Sequence, residues 1–151
     1  MSVKWLYLAA LLILTGYFSS CSEKEKIPFT TMSIGSNLDF KAGIPKQDVI
    51  IRSQVEWDDL IAVMGNRFIE TEIDFDRYQI VAVVHEVLNS GGFEITITKI
   101  TDYSDKILVT VKLSASKGVA SEIFTQPYHF VKMCKTAKRI EFKHINNTVK
   151  K

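Results

Sequence analysis

Gln79-Ile80-Val81-Ala82-Val83-Val84, followed by Asn89-Ser90-Gly91-Gly92 and then Phe93-Glu94-Ile95-Thr96-Ile97-Thr98, is the stretch that decides the fold. The run from Ile80 to Val84 contains no polar residue, which predicts a strand buried on both faces. The run from Phe93 to Thr98 alternates apolar and polar with period two, which predicts a strand with one wet face. Two glycines between them permit a sharp reversal. The expectation is a β-hairpin, with the other strands laid beside it.

Working outward, Lys106 to Ser114 is a second alternating strand, with Ile107, Val109, Val111 and Leu113 on one face. Pro127 precedes a strand from Tyr128 to Cys134. Lys135-Thr136-Ala137-Lys138 then turns the chain into a last strand, Arg139 to Ile145, with Ile140 and Phe142 inward. Short turns between consecutive strands predict antiparallel pairing. Upstream, Phe29–Ile34 and Val49–Ile51 are short strand candidates, separated by a loop holding Gly43 and Pro45. One helix is expected, over about residues 54–64. Ser53 and Glu56 have the spacing of a capping box. Trp57, Leu60, Ile61 and Met64 fall on one stripe, and Gly65 is placed to cap the end. The expected class is α+β, mostly β: an antiparallel sheet of about five to seven strands packed against that helix.

The N-terminus has a different character. Met1–Ser20 carries one charge, Lys4, and then an apolar run from Trp5 to Leu14. That run is too short for a span of about 20 residues and reads as a secretory leader. Phe18-Ser19-Ser20-Cys21 resembles a bacterial lipoprotein signal, which implies cleavage before Cys21 and its acylation, by palmitate among other chains. Two or more acyl chains hold a protein stably on a bilayer. The domain organisation expected is therefore a leader over 1–20, a charged tether over 21–28, one β-rich domain over 29–145 and a frayed tail over 146–151. The implied address is the cell envelope, lipid-anchored at the outer membrane, on its periplasmic or its surface-exposed face.

With Cys21 acylated, only Cys134 is left and no intramolecular disulfide is available, so the core alone must hold the domain. Nineteen basic residues, of which Lys4 lies in the leader, stand against 17 acidic ones. This near balance, with no basic run interleaved with aromatics, gives no reason to expect a nucleic-acid partner.

Ile73-Asp74-Phe75, the strand Ile80–Val84, Ser90-Gly91-Gly92-Phe93-Glu94-Ile95 and Thr125-Gln126-Pro127-Tyr128-His129 together resemble the C-terminal domain of the PrcB family. Phe93 stands where that family more often has Tyr, and His85 or Glu86 where Gly is frequent. The family takes its name from a lipoprotein that supports assembly of a surface protease complex. The resemblance therefore implies a non-enzymatic, protein-binding module with another envelope or surface protein as partner. Two alternative functions stay open: a protease-inhibitor-like module, or a binder of glycan or another small ligand.

The residues expected to meet a partner are Asn89, Ser90, Gly91, Gly92 and Phe93 in one loop and Thr125, Gln126, Pro127 and Tyr128 before the later strand. No catalytic constellation is legible, and no cofactor is expected. His85, His129 and His144 lack ligand spacing for zinc. Cys134 near His129 or His144 suggests an inert, buried strand-end thiol rather than a nucleophile. Asp74 and Asp76 share a side of an extended segment but read as solvated charges.

Overall fold

The computed structural model describes residues 25–36, 44–64, 70–115 and 123–146. The leader, Cys21, Gly65 and the tail from Asn147 onward lie outside the described residues. Eight strands are present among those described: β1 (Glu25–Lys26), β2 (Phe29–Gly35), β3 (Gln47–Ile51), β4 (Tyr78–Val84), β5 (Phe93–Asp102), β6 (Lys106–Ala115), β7 (Tyr128–Cys134) and β8 (Arg139–Asn146). Among the described residues one helix, α1, runs from Gln54 to Met64. The class is thus α+β and mostly β, with the helix where the sequence predicts it.

The strands form two sheets rather than one. The inner sheet has the order β2-β7-β4-β3 and is antiparallel throughout; the outer sheet has the order β1-β5-β6-β8. The layers run helix, inner sheet, outer sheet. Ile80, Ala82 and Val84 of β4 and Phe130 of β7 face the helix, in one core with Trp57 and Met64. Val81, Val83, Val131 and Met133 face the other way, in a second core with Ile95, Ile97, Ile107, Val109 and Val111 of the outer sheet. β4 is therefore buried on both faces because it is the middle layer.

Two expectations about pairing are overturned. β4 and β5 do not form a hairpin: β4 pairs with β3 and β7, and β5 with β6 and β1. Residues 85–92 instead carry the chain from one sheet to the other. Likewise β7 and β8 are not neighbours. β8 crosses to the outer sheet and runs parallel to β6, with Lys106 opposite Arg139 and Val111 opposite His144. The physical reason is common to both. A strand apolar on both faces and one apolar on a single face belong to different layers. The hairpin that does form joins β5 and β6, both half-wet.

Helix α1 is closed at its start by Ser53, whose Oγ accepts the Glu56 N–H at 3.3 Å. The Glu56 carboxylate accepts the Arg52 N–H at 2.7 Å, one residue earlier than in a standard capping box. Trp57 is fully buried, meets the Phe130 ring edge-on at 6.2 Å, and donates its indole N–H to the Glu70 carbonyl at 3.3 Å. Gln54 ties the helix to the returning chain through the Thr71 carbonyl and the Ile73 N–H.

Candidate functional site

The two segments expected to meet a partner do come together, at one end of the sandwich. Leu88 and Thr125 form an isolated antiparallel bridge, with N–H to carbonyl distances of 2.7 and 2.9 Å. The Thr125 hydroxyl donates to the Ser90 carbonyl at 2.8 Å. The Pro127 carbonyl accepts the His85 N–H at 2.8 Å. Gly92 adopts φ 84°, the left-handed region that glycine enters without strain, and from it the chain enters β5 at Phe93.

Most of the group is interior. Gly91, Thr125, Gln126, Pro127 and Tyr128 are buried, while Asn89 and Gly92 are exposed and Ser90 and Phe93 half-buried. Gln126 is a clamp. Its side-chain amide donates to the carbonyls of Ile44 and His85 at 2.6 and 2.7 Å, and its oxygen accepts the Ile44 N–H at 3.1 Å. Its backbone N–H donates to Ser36. Tyr128 packs on Phe130, and Ser33 donates to its hydroxyl at 3.4 Å. The same hydroxyl would sit 2.9 Å from a Cβ on Gly35, so only glycine fits there without displacing the ring.

The exposed chemistry of this end lies in residues the sequence reading did not single out. Phe124 is 79% exposed, Ile123 55%, Val87 46% and Ile34 43%. The Leu88–Thr125 bridge brings Val87 and the Ile123-Phe124 pair to the same rim. Beside it is a cleft of about 500 Å³ lined by Ile34, Gly35 and Ser36 of the β2 end, Gly92, Phe93 and Glu94 of the β5 start, and the β6 end at Ser114 and Ala115. Among the described residues Glu94 is its one charged lining residue. The available signal was Ile123-Phe124 itself, a bulky apolar pair without strand periodicity ahead of a proline.

Among the described residues His129 has no set of metal ligands around it. It lies buried between the sheets. Its Nδ1 accepts the Ile97 N–H at 2.8 Å, so the proton is on Nε2, which faces the Thr31 hydroxyl at 3.0 Å. Thr31 and Ile97 each sit at a register shift in their strand. The bulge turns the Ile97 N–H out of its ladder and His129 takes it up. Burial pushes the His129 pKa down to about 4, against a smaller opposing pull from Glu94.

Among the described residues no three His, Cys, Asp or Glu side chains converge as metal ligands. Cys134 is exposed at the end of β7 rather than buried, a correction that follows from β7 ending at the sheet margin beside Tyr78. His144 pairs with Asp48 at 2.6 Å, linking β8 to β3. The Asp74 carboxylate accepts the Asp76 N–H at 3.2 Å and shapes the turn into β4.

Neither the curated proteins nor the solved structures contain a significant match to this chain. A family model does match: the one described as PrcB C-terminal, over residues 80–133. That span starts within β4, takes in β5, β6 and the Leu88–Thr125 bridge, and stops just short of the end of β7. Over the β4–β7 segment, and with it the end that unites Asn89–Phe93 with Thr125–Tyr128, the chain is similar to a PrcB C-terminal domain.

Proposed function

We propose that this protein is a lipid-anchored, non-enzymatic accessory subunit that holds another protein of the cell envelope, a surface protease complex being the assembly the family points to. The observation that carries the reading is the exposed apolar rim of Phe124, Ile123, Val87 and Ile34. Large apolar side chains gathered at one exposed place are the mark of an interaction surface, and aromatic residues at such a place contribute disproportionately to binding. The buried loops beneath, clamped by Gln126 and Thr125, keep that rim rigid, which lowers the ordering cost of association.

The test is the double substitution Phe124→Glu with Ile123→Ser in the full-length chain, followed by crosslinking and capture from the native envelope. Both side chains are exposed, so the thermal melt should stay within a degree or two of the parent. The expected result is selective loss of one or a few proteins that the parent recovers. Recovery of the same proteins in the same amounts by both forms would sink the reading.

A further inference from the structure

At the other margin of the inner sheet, β3 is an edge strand whose one ladder partner among the described residues is β4. Beside its free edge lies helix α1, and between them a groove of about 420 Å³. The floor is apolar, from Val49, Ile51 and Leu60, and Glu56 and Asp59 of the helix stand on the rim with Gln47 at one end. Among the described residues no lysine, arginine or histidine lines it. Lys46 and Arg52, both exposed, flank the two ends of the strand and confine the anionic window to its middle.

We propose that this groove takes an extended peptide segment of a partner protein bearing a basic side chain, added to the inner sheet as a further strand beside β3. The proposal rests on the reading that the chain is a protein-binding subunit, and assigns it a second, separate contact. A free strand edge presents alternating backbone N–H and carbonyl groups that an extended chain satisfies in register, and a helix alongside that edge supplies pockets for alternate side chains. β3 has five residues, which matches an added strand of about 17 Å. The preference for a basic residue follows from the lining. A lysine stem can lie along Val49 and Leu60 while its ammonium reaches the carboxylates of Asp59 and Glu56. An acidic residue at that position would meet two like charges.

The experiment uses full-length protein in detergent micelles and two labelled peptide probes of about six residues, one alternating valine and lysine, the other valine and glutamate. Binding is read by fluorescence anisotropy, and its place by hydrogen exchange of the backbone amides. The expected result is at least tenfold tighter binding of the lysine probe, with slowed exchange confined to Gln47–Ile51 and the facing turns of α1. Asp59→Lys should weaken the lysine probe at least tenfold without moving the melt, and Phe124→Glu should leave its binding unchanged. Equal binding of both probes, protection elsewhere, or an Asp59→Lys protein that binds like the parent would each overturn the proposal. So would concentration-dependent self-association that protects the same β3 amides and is not displaced by the lysine probe, since a second copy would then be the occupant. A partner captured through Phe124 alongside a failed probe overturns the groove and leaves the apolar rim standing. Probe binding without any captured partner does the reverse.

Discussion

His129 shows how one buried side chain sets a condition for the whole sandwich. Its unprotonated Nδ1 accepts the Ile97 N–H across the gap between the sheets. A proton on Nδ1 would set two donors against each other 2.8 Å apart. Burial between the sheets disfavours the charged ring as well, and holds its pKa down at about 4 from an unfolded value near 6.5. The unfolded chain takes up the proton first as pH drops. The stability contributed is complete above about pH 6.5 and is lost progressively as pH falls through 4, by about 3 kcal/mol in all. Urea melts of the parent at pH 7 and pH 4.5 should show a fall that His129→Asn, uncharged at both, largely lacks. Identical pH dependence in the two proteins would mean that carboxylates, not His129, govern acid stability. The sequence hinted at this residue only as a lone histidine in the apolar strand Tyr128–Cys134, because the Ile97 N–H it accepts is freed by a bulge that no residue pattern announces.

At the level of elements, the connection from β4 to β5 rests on Gln126. It satisfies three backbone groups from two segments, Ile44 and His85, that have no ladder of their own. Gln126→Ala would leave those groups buried without partners and should cost about 3 kcal/mol, each orphaned group being worth roughly 1–3 kcal/mol before relaxation. A chemical-denaturation midpoint close to the parent's would show that the crossing is held by the Leu88–Thr125 bridge alone. The elements themselves were legible. Tyr128–Cys134 is found as the sequence marks it, α1 covers the expected residues 54–64, and Trp57 is buried where the apolar stripe places it. What misled was adjacency: Gly91-Gly92 between two apolar runs reads as a hairpin. The burial contrast within those runs carried the opposite message. Ile80–Val84 needs cover on both sides, Phe93–Thr98 on one, and strands with different needs sit in different layers. The same contrast separates β7 from β8, where Tyr128–Val131 is buried throughout and Arg139–Ile145 is not.

At the scale of the whole molecule, the two ends of the sandwich differ. Glu25 of β1 lies opposite Asp102 at the finish of β5, while the start of β5 at Phe93 lies with the finish of β6 at Ala115 near the apolar rim. If Cys21 is the acylated residue, three residues lie between it and Glu25, and the four steps along the chain reach at most about 14 Å. Such a short spacer would hold the Asp102 end against the bilayer. Ten residues of β5 would then put the rim about 30 Å further out, clear of the headgroups and open to another protein. The orientation and the anchoring can be tested together. Cys21→Ala should abolish incorporation of an alkynyl fatty acid and move the protein to the soluble fraction, its melt unchanged. In a Cys134→Ser background reconstituted in vesicles, a fluorophore on Asp105→Cys, in the β5–β6 turn, should be quenched by brominated lipid. One on Asn89→Cys should be quenched little. Labelling that survives Cys21→Ala would refute the anchor. Stronger quenching at position 89 would keep the anchor but turn the molecule over, placing Phe124 against the membrane and making lipid, not protein, the surface it covers.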